Sequence, residues 1–113
     1  MILEISFNQD WNNKLKNKAF TTCRLANPNK YVLGRKYKIK LKGEILGFAT
    51  CKGIRRFPIN KVNEFISYLD TGYPPGAFVN MIKTMYKNKD INWNSQLLDY
   101  VLLEWDKEQK LDL

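Results

Sequence analysis

Apolar and polar positions alternate with a period of two along Lys36-Tyr37-Lys38-Ile39-Lys40-Leu41-Lys42. Successive side chains of a strand point to opposite faces, so Tyr37, Ile39 and Leu41 face one way and the four lysines the other. Gly43-Glu44 makes a tight connection, and a second strand from Ile45 to about Phe57 completes a hairpin. Gly47 and Gly53 inside that strand predict bulges or bends of the kind a small barrel needs at its corners, and Pro58 ends it. Ile2 to Phe7 reads as an opening strand. Trp11, Leu15 and Ala19 recur at i, i+4 and i+8, which predicts a helix with Lys14, Lys16 and Lys18 toward its other side. Asn27-Pro28-Asn29 is a turn signal. Asn60 is placed to cap a helix carrying Val62, Phe65, Ile66 and Leu69 at i, i+3, i+4 and i+7. Asp70-Thr71-Gly72-Tyr73 breaks it. Pro74-Pro75 then starts another helix, with Phe78, Ile82 and Met85 on its apolar face. Leu97 to Trp105 is apolar on nearly both faces and reads as a central strand. The order predicts an α+β fold: a small curved β-barrel of about five or six mostly antiparallel strands, flanked by about three helices. One domain over residues 1–106 is expected, with 107–113 as a polar tail.

Composition narrows the chemistry. A chain of 113 residues that is 44% hydrophobic can build one core. Its longest apolar run is far short of a membrane span, and Met1-Ile2-Leu3-Glu4 does not open like a secretory leader. Histidine is absent, which excludes Ser-His-Asp and Cys-His catalysis and histidine-ligated zinc. Cys23 and Cys51 are too few for a disulfide scaffold and do not stand at metal-ligand spacing. They read as buried, reduced thiols of a cytoplasmic protein, with neither metal nor cofactor expected. The net charge of +8 is polarised. Residues 1–60 hold 13 basic and three acidic residues, whereas residues 61–113 hold six lysines and eight acids. Such a directional field suits a polyanionic partner.

Several segments together resemble the ASCH domain of the PUA-like superfamily, over nearly the whole chain. Lys18-Ala19-Phe20-Thr21-Thr22-Cys23-Arg24 is similar to the family's K-x-x-T-x-R motif, with the arginine one residue further on. Tyr31-Val32-Leu33-Gly34-Arg35 matches its Tyr-x-x-Gly-Asp turn, with Arg35 in place of aspartate. Asp70-Thr71-Gly72-Tyr73 resembles the Asp-Gly-Phe element with one extra residue, Tyr86 closes the helix, and Leu98 to Trp105 resembles the last strand. The resemblance implies a PUA-like barrel that binds RNA or a nucleotide-containing ligand. Some members are acetylcytidine amidohydrolases using lysine, threonine and glutamate. Carried over residue by residue, Lys18 stands as base, Thr21 (or Thr22) as nucleophile and Arg24 as anion clamp. Asp70 is the nearest acid in the segment where the glutamate is expected.

Three groups of candidate residues follow. Lys36, Lys38 and Lys40, extended by Arg55 and Arg56, form a basic face for phosphates. Lys18, Thr21 and Asp70 form the candidate catalytic set, with Thr22 and Arg24 beside it. Trp93, which has no periodic context, and Tyr73 beside Gly72 and Pro74 are candidates for base stacking. Trp11 and Trp105 share faces with apolar residues and read as core. The leading expectation is a module that binds RNA or a nucleotide at a cleft near Thr21, Thr22 and Arg24. The alternatives are a hydrolase acting on an acylated nucleoside or on RNA, and a small basic inhibitor or adaptor that binds an acidic protein.

Overall fold

The computed structural model describes residues 2–106, so the expected tail at 107–113 lies outside the described residues. Five strands form one mixed sheet: β1 (Leu3–Phe7), β2 (Ala19–Leu25), β3 (Lys36–Leu41), β4 (Glu44–Pro58) and β5 (Leu97–Trp105). Two helices, α1 (Glu64–Thr71) and α2 (Pro75–Met85), stand between β4 and β5 in the chain. The spatial order is β1-β3-β4-β5-β2. β1 runs parallel to β3, and every other pairing is antiparallel. The sheet curls into a half-barrel, with β1 and β2 as its two edges. No helix among the described residues is long and apolar enough to cross a membrane.

The alternating segments behave as their patterns predict. Tyr37 and Ile39 are fully buried while Lys36 is exposed. Lys42 (φ 51°) and Gly43 (φ 83°) turn the hairpin in left-handed conformations, which open only to a residue free of steric cost or held by the turn. The register shifts opposite Ile39/Lys40, beside Gly47, and again between Cys51 and Gly53, so the two glycines mark real bulges. β5 lies between β4 and β2, and it feeds two cores. Val101, Leu103 and Trp105 pack inside the curl with Ile5, Phe20 and Tyr37. Leu98, on the other face, packs with Cys23, Ile59, Phe78 and Ile82 under the helices. Each such large apolar side chain contributes roughly 1.5–3 kcal/mol by leaving water.

Two helix expectations are corrected. Residues 11–16 form a kinked 3-10 segment rather than a helix reaching Ala19, which already belongs to β2. Asn12 (φ 60°) and Asn13 (φ 53°) adopt left-handed backbone, tolerated best by Asn, Asp and Gly, and this breaks helical continuation. The Asp10 carboxylate then accepts from the Leu15 N–H at 2.9 Å. Asn60 lies in a second short 3-10 turn (Ile59–Lys61), and α1 is capped by Asn63, whose side chain accepts from Ile66 N–H at 3.0 Å. α1 ends at Gly72 in left-handed conformation. A β-carbon there would meet Asn12 Oδ1 at 3.3 Å, so this end of α1 fits closely against the kinked segment.

Candidate functional site

The kink at Asn12-Asn13 turns Lys14 inward. Asn12 Nδ2 donates to the Tyr68 carbonyl at 3.2 Å and fastens the segment to the last turn of α1. Lys14 therefore meets Asp70: its Nζ donates to Asp70 Oδ1 at 2.9 Å, and both side chains are about 95% buried (4% and 5% exposed). Thr21 Oγ1 donates to the same oxygen at 2.7 Å. The Tyr100 phenol lies near Thr21, whose hydroxyl works against the rise in its pKa. Tyr100, Thr21, Asp70 and Lys14 thus form one chain of polar groups running from β5 to the kinked segment. Burial lowers the Lys14 pKa, and the Asp70 carboxylate opposes that shift. Burial raises the Tyr100 phenol.

A second set lies on the opposite face of β2. Arg24 Nε donates to Thr22 Oγ1 at 2.9 Å, and Arg24 Nη2 donates to the Ser6 carbonyl at 2.8 Å. That second bond crosses from one edge strand to the other and spans the seam of the half-barrel. The Phe7 ring lies below two cations, with Lys14 Nζ 5.4 Å and the Arg24 guanidinium 5.0 Å from its centroid. A cavity of about 30 Å³ is lined by Phe7, Trp11, Lys14, Thr22, Cys23, Arg24 and Asp70, with Thr71, Met81, Ile82 and Met85. It draws residues from both faces of β2, so it sits against that strand's open edge. Its volume suits about one water molecule. The Cys23 thiol is pushed up far beyond the usual thiol range by burial, which keeps it protonated and unreactive. A wider, shallower groove of about 600 Å³ continues along the seam between Ile2, Leu3, Glu4, Ser6, Arg24 and Lys30. Arg24 lines both spaces.

The chain matches no protein-family model and no curated protein. It is similar to a solved structure. That structure is the crystal structure of protein EF3133 from Enterococcus faecalis V583, described under the family model DUF984. The TM-score is 0.67 at 13% identity, over 93% of this chain and 80% of that one. At that identity the likeness speaks for the fold.

The expected site residues divide between several places. Thr21 and Asp70 meet directly, and Thr22 and Arg24 stand at the same edge. Lys18 is exposed, and the cation that reaches Asp70 is Lys14. Tyr73 packs edge-on against Trp11, 5.5 Å between centroids, at the cavity rim. Trp93 is half-buried against the Phe78 and Ile82 core, away from that rim. Trp105 is buried and donates from Nε1 to the Leu15 carbonyl at 3.0 Å; Trp11 is only half-buried.

The lysine row is partly neutralised. Lys36 pairs with Asp106 at 2.9 Å, and Glu4 faces both Lys40 (3.2 Å) and Lys38 (3.9 Å). Arg56 grips the fully buried Asp99 through Nε at 2.6 Å and Nη2 at 3.2 Å. Asp99 also accepts from Asn27 N–H at 2.8 Å, so Arg56 serves the fold. Arg55 projects from the helix-covered face toward Phe57, Phe65 and Tyr100.

Lys14 is the residue that sequence periodicity missed. The adjacent Asn12-Asn13 pair was the available signal, because two residues tolerant of left-handed backbone invalidate helical phasing.

Proposed function

We propose that this protein is a PUA-like, ASCH-type module that binds RNA or a nucleotide-containing ligand at the β1–β2 seam. The observation that carries the reading is the position of Arg24. Its guanidinium bridges the two edge strands, and Arg24 lines both the wide groove and the smaller cavity. Lys30 shares the groove; burial lowers its pKa and repulsion from Arg24 lowers it further, while Glu4, which also lines the groove, opposes the shift. A phosphate placed there relieves that repulsion. The cavity beyond Arg24 supplies polar groups for a base edge. Its small volume requires the Trp11 and Met85 rim to move when a base enters.

The test is equilibrium binding of short single-stranded RNA at low and moderate salt. Affinity should fall steeply with salt, and Arg24→Ala should weaken binding at least tenfold. Salt-independent binding, or wild-type affinity in Arg24→Ala, removes the seam from the interface.

The Thr21–Asp70–Lys14 chain favours a second reading, a hydrolase acting on an acylated nucleoside. Thr21 Oγ1 attacks the acyl carbon while Asp70 takes its proton over 2.7 Å; the acyl–nitrogen bond breaks as that proton passes to the departing amine, water then hydrolyses the acyl-threonine, and Lys14 holds the carboxylate in place. Incubation with acetylcytidine tests it. Turnover should vanish in Thr21→Ala and survive Lys18→Ala; absence of turnover in the wild type leaves the binding module alone.

A further inference from the structure

Also against α1, beside the buried chain, lies a groove of about 280 Å³. Its lining is Arg55, Phe57, Asn63, Phe65, Ile66, Leu69 and Tyr100. Two of its walls are unusually open for apolar side chains: Phe65 is 78% exposed and Leu69 is 65% exposed. The floor is aromatic, with the Phe57 and Tyr100 rings 6.2 Å apart and tilted by 55°. Its one charged lining residue is Arg55. Residues 52–63 hold Lys52, Arg55, Arg56 and Lys61 and no acid, but Lys52 pairs with Glu104 at 3.6 Å and Glu64 follows directly. Arg56 is committed to Asp99, whereas Arg55 lines the groove. The exposed Glu64, at the start of α1, is outside the lining.

We infer that this groove is a second nucleotide subsite, in which a base of single-stranded RNA stacks between Phe65 and the Phe57–Tyr100 floor while Arg55 holds its phosphate. The inference rests on the reading of the seam as an RNA site and extends it. Aromatic rings beside an arginine select a flat π-face joined to an anion. Continuity comes from Tyr100: it lines the groove, and its phenol lies near Thr21 at the head of the buried chain. α1 supplies both sites: Phe65, Ile66 and Leu69 line the groove, and Asp70, one turn on from Ile66, lines the cavity.

The experiment uses a short single-stranded RNA carrying 2-aminopurine, read by base fluorescence and by anisotropy. Phe65 is exposed enough that Phe65→Ala leaves the core intact. That variant should weaken binding roughly 5- to 100-fold and abolish the fluorescence quench, and Phe65→Trp should retain both. Arg55→Ala should weaken binding and reduce its salt dependence. Unchanged affinity and quench in Phe65→Ala, with binding still lost in Arg24→Ala, overturns the groove and leaves the seam standing. No binding by the wild type overturns both. An acidic aromatic peptide that binds the wild type but not Phe65→Ala, without displacing RNA, assigns the groove to a protein partner and overturns the subsite.

Discussion

Lys14 and Asp70 are 56 positions apart in the chain, and they form an ion pair of 2.9 Å in which neither side chain is more than 5% exposed. Removing one partner strands the other charge in a low-dielectric site. Lys14→Met should therefore cost roughly 3–5 kcal/mol, against ~0–1 kcal/mol for an exposed pair. Urea unfolding checks the value. Lys14→Met combined with Asp70→Leu should recover part of it, because the double replacement leaves no orphan charge. A loss below about 1 kcal/mol in Lys14→Met would show that the pair is solvated.

Arg24→Ala should loosen the seam. It removes the bond to the Ser6 carbonyl and the cation above Phe7. Hydrogen exchange should accelerate in β1 and β2 and stay slow in β4 and β5, which are interior strands. Arg24→Lys should not restore protection, because an ammonium cannot span Thr22 and Ser6 with a planar fork. Uniform acceleration across all strands would mean that Arg24 acts on global stability.

Alkaline pH separates buried groups by sign. Burial pushes the Tyr31 phenol from 10.0 up to about 12. The folded state then holds the proton that the unfolded state releases. Stability from this group is full below pH 10 and is lost as pH rises from 10 toward about 12. Tyr37 and Tyr100 act in the same direction. Lys14 acts oppositely: its lowered pKa makes its contribution to stability rise with pH up to 10.5, the unfolded value. Lys30 acts with Lys14, and the Cys23 and Cys51 thiols act with the phenols, so three phenols and two thiols stand against two amines: stability should fall overall above pH 10, and Tyr31→Phe should flatten that fall. Urea midpoints between pH 9 and 12 measure it; an unaltered slope in Tyr31→Phe would place its phenol in water.

What was legible in the sequence was local. Tyr37, Ile39 and the intervening lysines declare a strand within seven residues, and Gly47 and Gly53 announce the bulges that curl it. The apolar run of β5 announces its central place, because an edge strand would leave one side wet. The site was legible only in part. Thr21, Arg24 and Asp70 came from motif order, but the acid's true cation depends on where α1 lands: the Asn12-Asn13 pair signals that the helix breaks, not which partner Lys14 meets. The lysine row shows the same limit. Glu4 lies beside Lys38 only because β1 and β3 pair in parallel register, and Asp106 reaches Lys36 only at the end of β5. Charge patterning along one strand cannot reveal counter-ions brought by another.

Arg56 should separate fold from binding. Arg56→Ala leaves the buried Asp99 carboxylate with a main-chain donor, Asn27 N–H, and should lower stability. Chemical denaturation should show this loss. RNA affinity measured well below the melting temperature should stay within about twofold of wild type, since that guanidinium is already committed to Asp99. A large affinity loss with little destabilisation would move Arg56 into the interface.

The paired lysines make the last prediction a comparison. Lys38 and Lys40 share the Glu4 carboxylate, at 3.9 Å and 3.2 Å, so part of their field is cancelled before any phosphate arrives. Reversing both, Lys38→Glu with Lys40→Glu, still places three carboxylates together on one face. It should weaken RNA binding modestly at low salt, to a similar degree for different sequences, and the deficit should shrink as salt screens it. Glu4→Gln should have the opposite effect and strengthen binding. Arg24→Ala should instead lower affinity at every salt concentration, because Arg24 lines the groove directly. If the double reversal abolishes binding while Arg24→Ala is silent, the outer lysine face is the interface and the seam is not.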